Sequence, residues 1–117
     1  MDIQKDYKGV IIEEGLTDNR LLNGLEIISL EITTEENPTE RWHIFKIHAS
    51  KDDIDKLSKN INDKKWYVHF WKGKDVILCF QNKKFEFNWG NENAKKQVID
   101  YGLSIGIPKE QLYFSID

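Results

Sequence analysis

The stretch "KWYVHFWKGKDVILCFQNKKFEFNW", residues 65–89, holds three Trp, one Tyr, four Phe and one His. The register of its strands decides what each aromatic does. Side chains alternate along a strand, so Trp66, Val68 and Phe70 share one face while Tyr67, His69 and Trp71 share the other. A two-residue turn at Asn82–Lys83 sets Phe80 against Phe85 and Leu78 against Phe87. That makes a dry face of Val76, Leu78, Phe80, Phe85, Phe87 and Trp89. A three-residue loop at Lys72, Gly73 and Lys74 would add Trp66, Val68 and Phe70 to that face. A two-residue loop would shift the register by one and bury His69 instead. Burying Trp, Val and Phe costs less than burying Tyr and His, so the sequence predicts the three-residue loop. On this reading Trp71→Asp spares the fold and Trp89→Asp destroys it.

The remaining elements extend outward from this meander. "YKGVIIEE" (7–14) reads as a first strand, and "LTDNRLLNG" (16–24) as a short helix capped by Thr17 or Asp18 and closed by Gly24. "LEIISLEITTEE" (25–36) alternates as a half-buried strand; "NPTE" turns the chain, and "RWHIFKIHA" (41–49) returns. "SKDDIDKLSKNIN" (50–62) is the clearest helix. Ser50 and Asp53 form a capping-box start, and Ile54, Leu57 and Ile61 an apolar stripe. A last helix covers 91–108, with Ala94, Val98, Tyr101 and Ile105 on one side and Gly106 and Pro108 as its stop. The apolar trio of the "KEQLYFSID" tail is placed to dock on the sheet.

The order β-α-β-β-α-β-β-β-α predicts one α+β domain over residues 1–117. Its expected architecture is a ferredoxin-like antiparallel sheet with helices on one face, extended by a C-terminal hairpin strand and a third helix.

With 117 residues, the chain buries a core without covalent staples, and its single Cys forms no internal disulfide. The longest clean apolar run, "VILCF" (76–80), is far short of a membrane span. "MDIQKDYKGV" lacks the basic flank and apolar core of a secretory signal, so the expectation is a soluble, cytoplasmic protein with no membrane partner. Charge is uneven: residues 1–40 carry a net −7 and residues 64–96 a net +5. In the meander, Lys64, Lys65, Lys83 and Lys84 fall at one end, with Lys72, Lys74, Lys95 and Lys96 towards the other. Two small clusters are not the continuous stripe of a nucleic-acid site, and the acidic balance also argues against one. "KKFEFNW" only loosely matches the aromatic strand of RNA-recognition folds, whose stacking aromatics lie on the open face.

Chemistry is sparse. No GxSxG elbow, phosphate loop or dinucleotide-binding glycine pattern occurs, and Cys79 sits at an apolar strand centre where thiols are inert. Glu13–Glu14, Glu35–Glu36 and Asp52–Asp53 are explained by strand ends and a helix start. His48, His69 and Cys79 would share a face on the register above, but no close ligand spacing supports a metal site. No catalytic, metal-binding or cofactor-binding residues are assigned.

The second face is the candidate binding surface. It carries Tyr67, His69 and Trp71 with Ile77 and Cys79, joined by Trp42, Ile44 and His48 if strand 41–49 turns His43, Phe45 and Ile47 inward. Apolar surface of this extent needs a cover: the C-terminal segment, a second copy of the chain, another protein or a small ligand. The function expected is a non-catalytic binding or protein-interaction domain, with a homodimer as its simplest form. The alternatives are a small-molecule enzyme with its pocket on that face, or an acidic inhibitor- or immunity-type protein for a basic partner.

Taken together, "YKGVIIEE", "WHIFKIH", "WYVHF" and the run from "FQNKKFEF" through "YGLSIGIPKEQLYF" resemble a family of short, stand-alone prokaryotic proteins of no assigned activity. The resemblance spans nearly the whole chain, implies a compact ferredoxin-like α+β domain, and carries over no functional residue. "NPTERW" (37–42) departs from the Thr-Pro-Trp-like segment of that family.

Overall fold

A computed structural model describes residues 4–63 and 65–117. Six strands form one sheet: β1 (Tyr7–Ile12), β2 (Glu26–Ile32), β3 (His43–Ala49), β4 (Tyr67–Lys72), β5 (Asp75–Phe80) and β6 (Lys83–Asn88). Every neighbouring pair is antiparallel, in the order β2-β3-β1-β4-β5-β6. Among the described residues two α-helices accompany the sheet, α1 (Lys51–Ser58) and α2 (Glu92–Ser104). The chain is therefore α+β, as its pattern predicts.

Each helix start follows from its sequence. The Ser50 hydroxyl accepts from the Asp53 amide at 3.1 Å while Asp53 Oδ2 accepts from the Ser50 amide at 3.0 Å, the expected capping box. Asn91 caps α2 by accepting from the Ala94 amide at 3.0 Å. Gly106, at φ +95°, ends α2 in a conformation that favours glycine. Between β1 and β2 there is no α-helix. Asp18 accepts from the Arg20 amide there, but the segment Asn19–Gly24 winds as 3-10 turns, and Gly24 is not left-handed.

The register separates the two faces. One row across the strands reads Ile27, Ile47, Gly9, Phe70, Ile77 and Glu86. The adjacent row, on the opposite face, reads Ser29, Lys46, Val10, His69, Leu78 and Phe85. On the first face Ile54 and Leu57 of α1 pack with Ile11, Ile47, Val68, Phe70, Ile77 and Cys79. On the second, Val98 of α2 packs with Leu78, Phe80, Ile107 and Leu112. The helices thus lie on opposite faces, not on one. This corrects the ferredoxin-like expectation: the first expected helix is absent and the strand order differs, while the six strands and the α+β class hold. The cause is β5: Val76 through Phe80 are all buried, so both sides of that strand need a cover.

The hairpin loop is likewise corrected. Trp71 pairs with Val76 and Lys72 with Asp75, across a two-residue turn in which Gly73 has φ +58°. Tyr67, His69 and Trp71 therefore join Leu78, Phe80, Phe85 and Phe87, while Trp66, Val68 and Phe70 face the other way. In the last hairpin Phe80 pairs with Lys83 and Leu78 with Phe85. That shifts the expected partners by two, which leaves the faces unchanged.

Gly9 is demanded by this packing. A Cβ there would stand 2.4 Å from Cδ1 of the fully buried Phe70 ring, which crosses β1 at that point. Gly9→Ala is expected to cost about 1–3 kcal/mol in chemical denaturation. Trp71→Asp, with Trp71 only 4 % exposed, is expected to cost about 4 kcal/mol and to lower the melting temperature sharply. This reverses the outcome expected from a three-residue loop.

Candidate functional site

Over β4, β5 and β6 the second face is covered by α2 and the tail. Beyond α2, Leu112 buries itself against Gly102, where a Cβ would lie 2.5 Å from Leu112 Cδ2. Phe114 then reaches Tyr67, His69, Phe87 and Trp89, with ring centroids 5.8–6.3 Å apart. The tail docks as its apolar residues predict, except that Tyr113 points outward and is 88 % exposed.

The polar atoms beneath the tail are matched to it. The Tyr67 hydroxyl donates to the Gln111 carbonyl at 2.6 Å, and Trp71 Nε1 donates to Asp117 Oδ1 at 2.9 Å. Lys8 and Lys46 also bind the Asp117 carboxylate. The hydrogen bond from Lys46, then that from Trp71, holds its pKa down at about 2. His69 Nε2 lies 2.9 Å from the Ser115 carbonyl. A carbonyl only accepts, so Nε2 carries the proton and Nδ1 the lone pair. Burial lowers the His69 pKa and raises that of Tyr67 to about 12, so both rings are neutral near pH 7.

These contacts place the sequence-predicted residues. His69 is 6 % exposed and, like Trp71, lies under the tail. The expected open surface around Tyr67, His69 and Trp71 is therefore covered by the chain's own C-terminal segment. His48 stands in the row of Lys8 and Trp71, with Lys8 between them. Strand β3 does turn Phe45 and Ile47 to the first face. Cys79 is also on the first face, opposite Val68, so the register separates it from His69 and His48. Burial raises the Cys79 thiol to about 11, which suits a core residue and not a nucleophile. Among the described residues no group of three His, Cys, Asp or Glu side chains could hold a metal ion. None of the described helices is long and apolar enough to cross a membrane.

The tail leaves part of the face open. A cleft of about 190 Å³ is lined by Val10, Ile12, Trp42 and Ile44 together with Gln111 and Tyr113 of the tail. Tyr67, His69, Lys65 and Trp66 also line it. Trp66 packs in the first-face core, where its ring lies 3.0 Å from the position of a Gly15 Cβ. Its ring centroid is 5.1 Å from that of Trp42, edge to face. Of the residues singled out from sequence, Trp42, Tyr67 and His69 meet here; Trp71 and His48 do not. Ile44, placed on this face with Trp42 by the alternation of β3, meets them. Val10, Ile12 and Tyr113 were not singled out; their signal was the second-face parity of β1 and the middle member of the tail trio.

A separate polar pair lies at the sheet end. His43 Nδ1 is 2.8 Å from Glu14 Oε2, and the His43 amide donates to Glu14 Oε1 at 2.8 Å. The Glu14 hydrogen bond raises the His43 pKa. The lysine clusters keep the separation expected of them: Lys83 sits beside Phe80 at one end, and Lys72 beside Asp75 at the other. Lys64 lies outside the described residues. Compared with protein-family models, curated proteins and solved structures, the chain matches none.

Protonation should report on the tail. Below the 6.5 of a free histidine the unfolded chain takes up a proton that buried His69 resists, so stability is full above that value and falls as pH drops. His43 has the opposite sign: its contribution is present below 6.5 and is lost as pH rises through its raised value. In a His43→Gln background, urea midpoints should therefore fall between about pH 7 and 5, and His69→Gln should flatten that slope.

Proposed function

We propose that the chain is a small cytoplasmic binding domain without catalysis, and that the second-face cleft is its binding element. The observation that carries this reading is the cleft itself. Apolar side chains of β1 and β3 line it, the edge-to-face pair Trp42 and Trp66 borders it, and Tyr113, 88 % exposed, lines it too. Exposed aromatic surface around a concave apolar lining suits a planar, apolar group. Lys65 at the rim suits a carboxylate attached to it. His69 and Tyr67 are neutral and bonded to the tail, which supports positioning and not proton transfer. Likeness to short, stand-alone prokaryotic proteins belongs to the same proposal.

Titration of ¹⁵N-labelled protein with indole and with indole-3-acetate tests it. Shifts should localise to the amides of Val10, Ile44 and Tyr113 and to the Trp42 indole, with the acetate binding more tightly. Trp42→Ala should weaken binding about tenfold. Shifts scattered over the surface, or none at about 1 mM probe, would remove the cleft as the site. Native mass spectrometry of gently purified protein should show a retained small mass that Trp42→Ala loses.

A further inference from the structure

The sheet has two edges, and they are treated differently. At β6 the strand carries Lys83 and Lys84 and lies against α2, both devices that discourage further pairing. β2 has neither lysine nor proline over its seven residues, and all seven are exposed. Ile27, Ile28, Leu30 and Ile32 are 43–50 % exposed, in a molecule whose other strands bury most of their apolar side chains. An unpaired edge of this kind is a template for another strand.

Its charge selects the partner. Arg20 is engaged by Asp18, and the Arg41 guanidinium donates to the carbonyls of Glu35 and Glu36. Among the described residues no cation lies within ion-pair distance of Glu26, Glu31, Glu36 or Glu40. A second copy of β2 would set this acidic edge against itself, at a strand spacing of about 4.8 Å, shorter than the screening length of physiological salt.

We propose that β2 is the docking edge for a basic strand of another protein, which adds to the sheet as a further strand. The register specifies its pattern. Past the irregularity between Ile27 and Ser29, Leu30 and Ile32 lie on the first face and Ser29 and Glu31 on the second. The incoming strand therefore alternates, with Val, Ile or Leu against Leu30 and Ile32, and Lys or Arg against Glu31. Main-chain hydrogen bonds along Ser29–Ile32 supply affinity, and the acidic loop beyond the strand supplies steering.

The probe is a short synthetic peptide alternating lysine with valine, compared with one carrying glutamate in place of lysine. The lysine peptide should shift the amides of residues 29–32 and slow their hydrogen exchange. Raising salt from about 0.05 to 0.5 M should weaken it about tenfold. Leu30→Lys and Glu31→Lys, both at exposed positions that leave the fold intact, should each weaken it about tenfold. Equal binding of the glutamate peptide, shifts away from β2, or no binding at about 1 mM would overturn the proposal. So would light scattering showing a dimer or larger species of the free chain that Leu30→Lys dissociates, since the occupant would then be a second copy.

Discussion

The turn at Gly73 and Lys74 determines which side chains of β4 meet which of β5, and most of the second face depends on it. With φ +58° at Gly73 the hairpin closes in two residues, and Trp71 lands opposite Val76. One residue more would send His69 and both flanking aromatics to the α1 side, and Phe70 away from Gly9. Phe70 fills the space that Gly9 leaves open, so the turn and the glycine on β1 require each other. β5 is the hinge of the arrangement: apolar towards both faces, it forces a layer on each.

The second layer is made from α2 and the tail together, and it buries polar groups at little cost because each meets a partner. Tyr67, His69 and Trp71 donate hydrogen bonds to Gln111, Ser115 and Asp117 respectively. The tail thereby reads the polar tips of three consecutive second-face residues while Leu112 and Phe114 supply the apolar contact. It covers β4 and reaches Lys8 of β1 and Lys46 of β3 through Asp117, but leaves Val10, Ile12 and Ile44 lining an open cleft. Covered centre, open cleft and bare β2 edge thus grade across one sheet.

Much of this was legible in the residues. The Ser50–Asp53 box and the Gly106 stop use short-range rules, and each has its expected counterpart. Residues 26–32 form the expected strand, but all seven are exposed where the alternation predicts a half-buried one, because β2 is a sheet edge that no described helix covers. The β4–β5 register was not legible, because Lys72-Gly73-Lys74 fits a loop of two or three residues. The cost of burying His69 was weighed as though no acceptor would reach it. Ser115 supplies that acceptor from 46 residues away, beyond any local pattern. For the same reason Trp42 could be named as a site residue, but not its neighbours on β1. Helix placement failed more simply: a strand apolar on both sides says that two covers exist, without saying which helix provides which.

Two cores on opposite sides of a sheet one strand thick share few side chains. α1 with Ile54 and Leu57 closes one; α2, Ile107 and Leu112 close the other. Leu112 packs into the notch at Gly102, which ties the tail to the last helix as one packing unit. Such a unit can lift away while the α1 side keeps its packing, giving the molecule a sub-global opening distinct from complete unfolding. Amides of α2 would then exchange through this lower-energy door, and those of β1 and β3 only when the whole sheet comes apart.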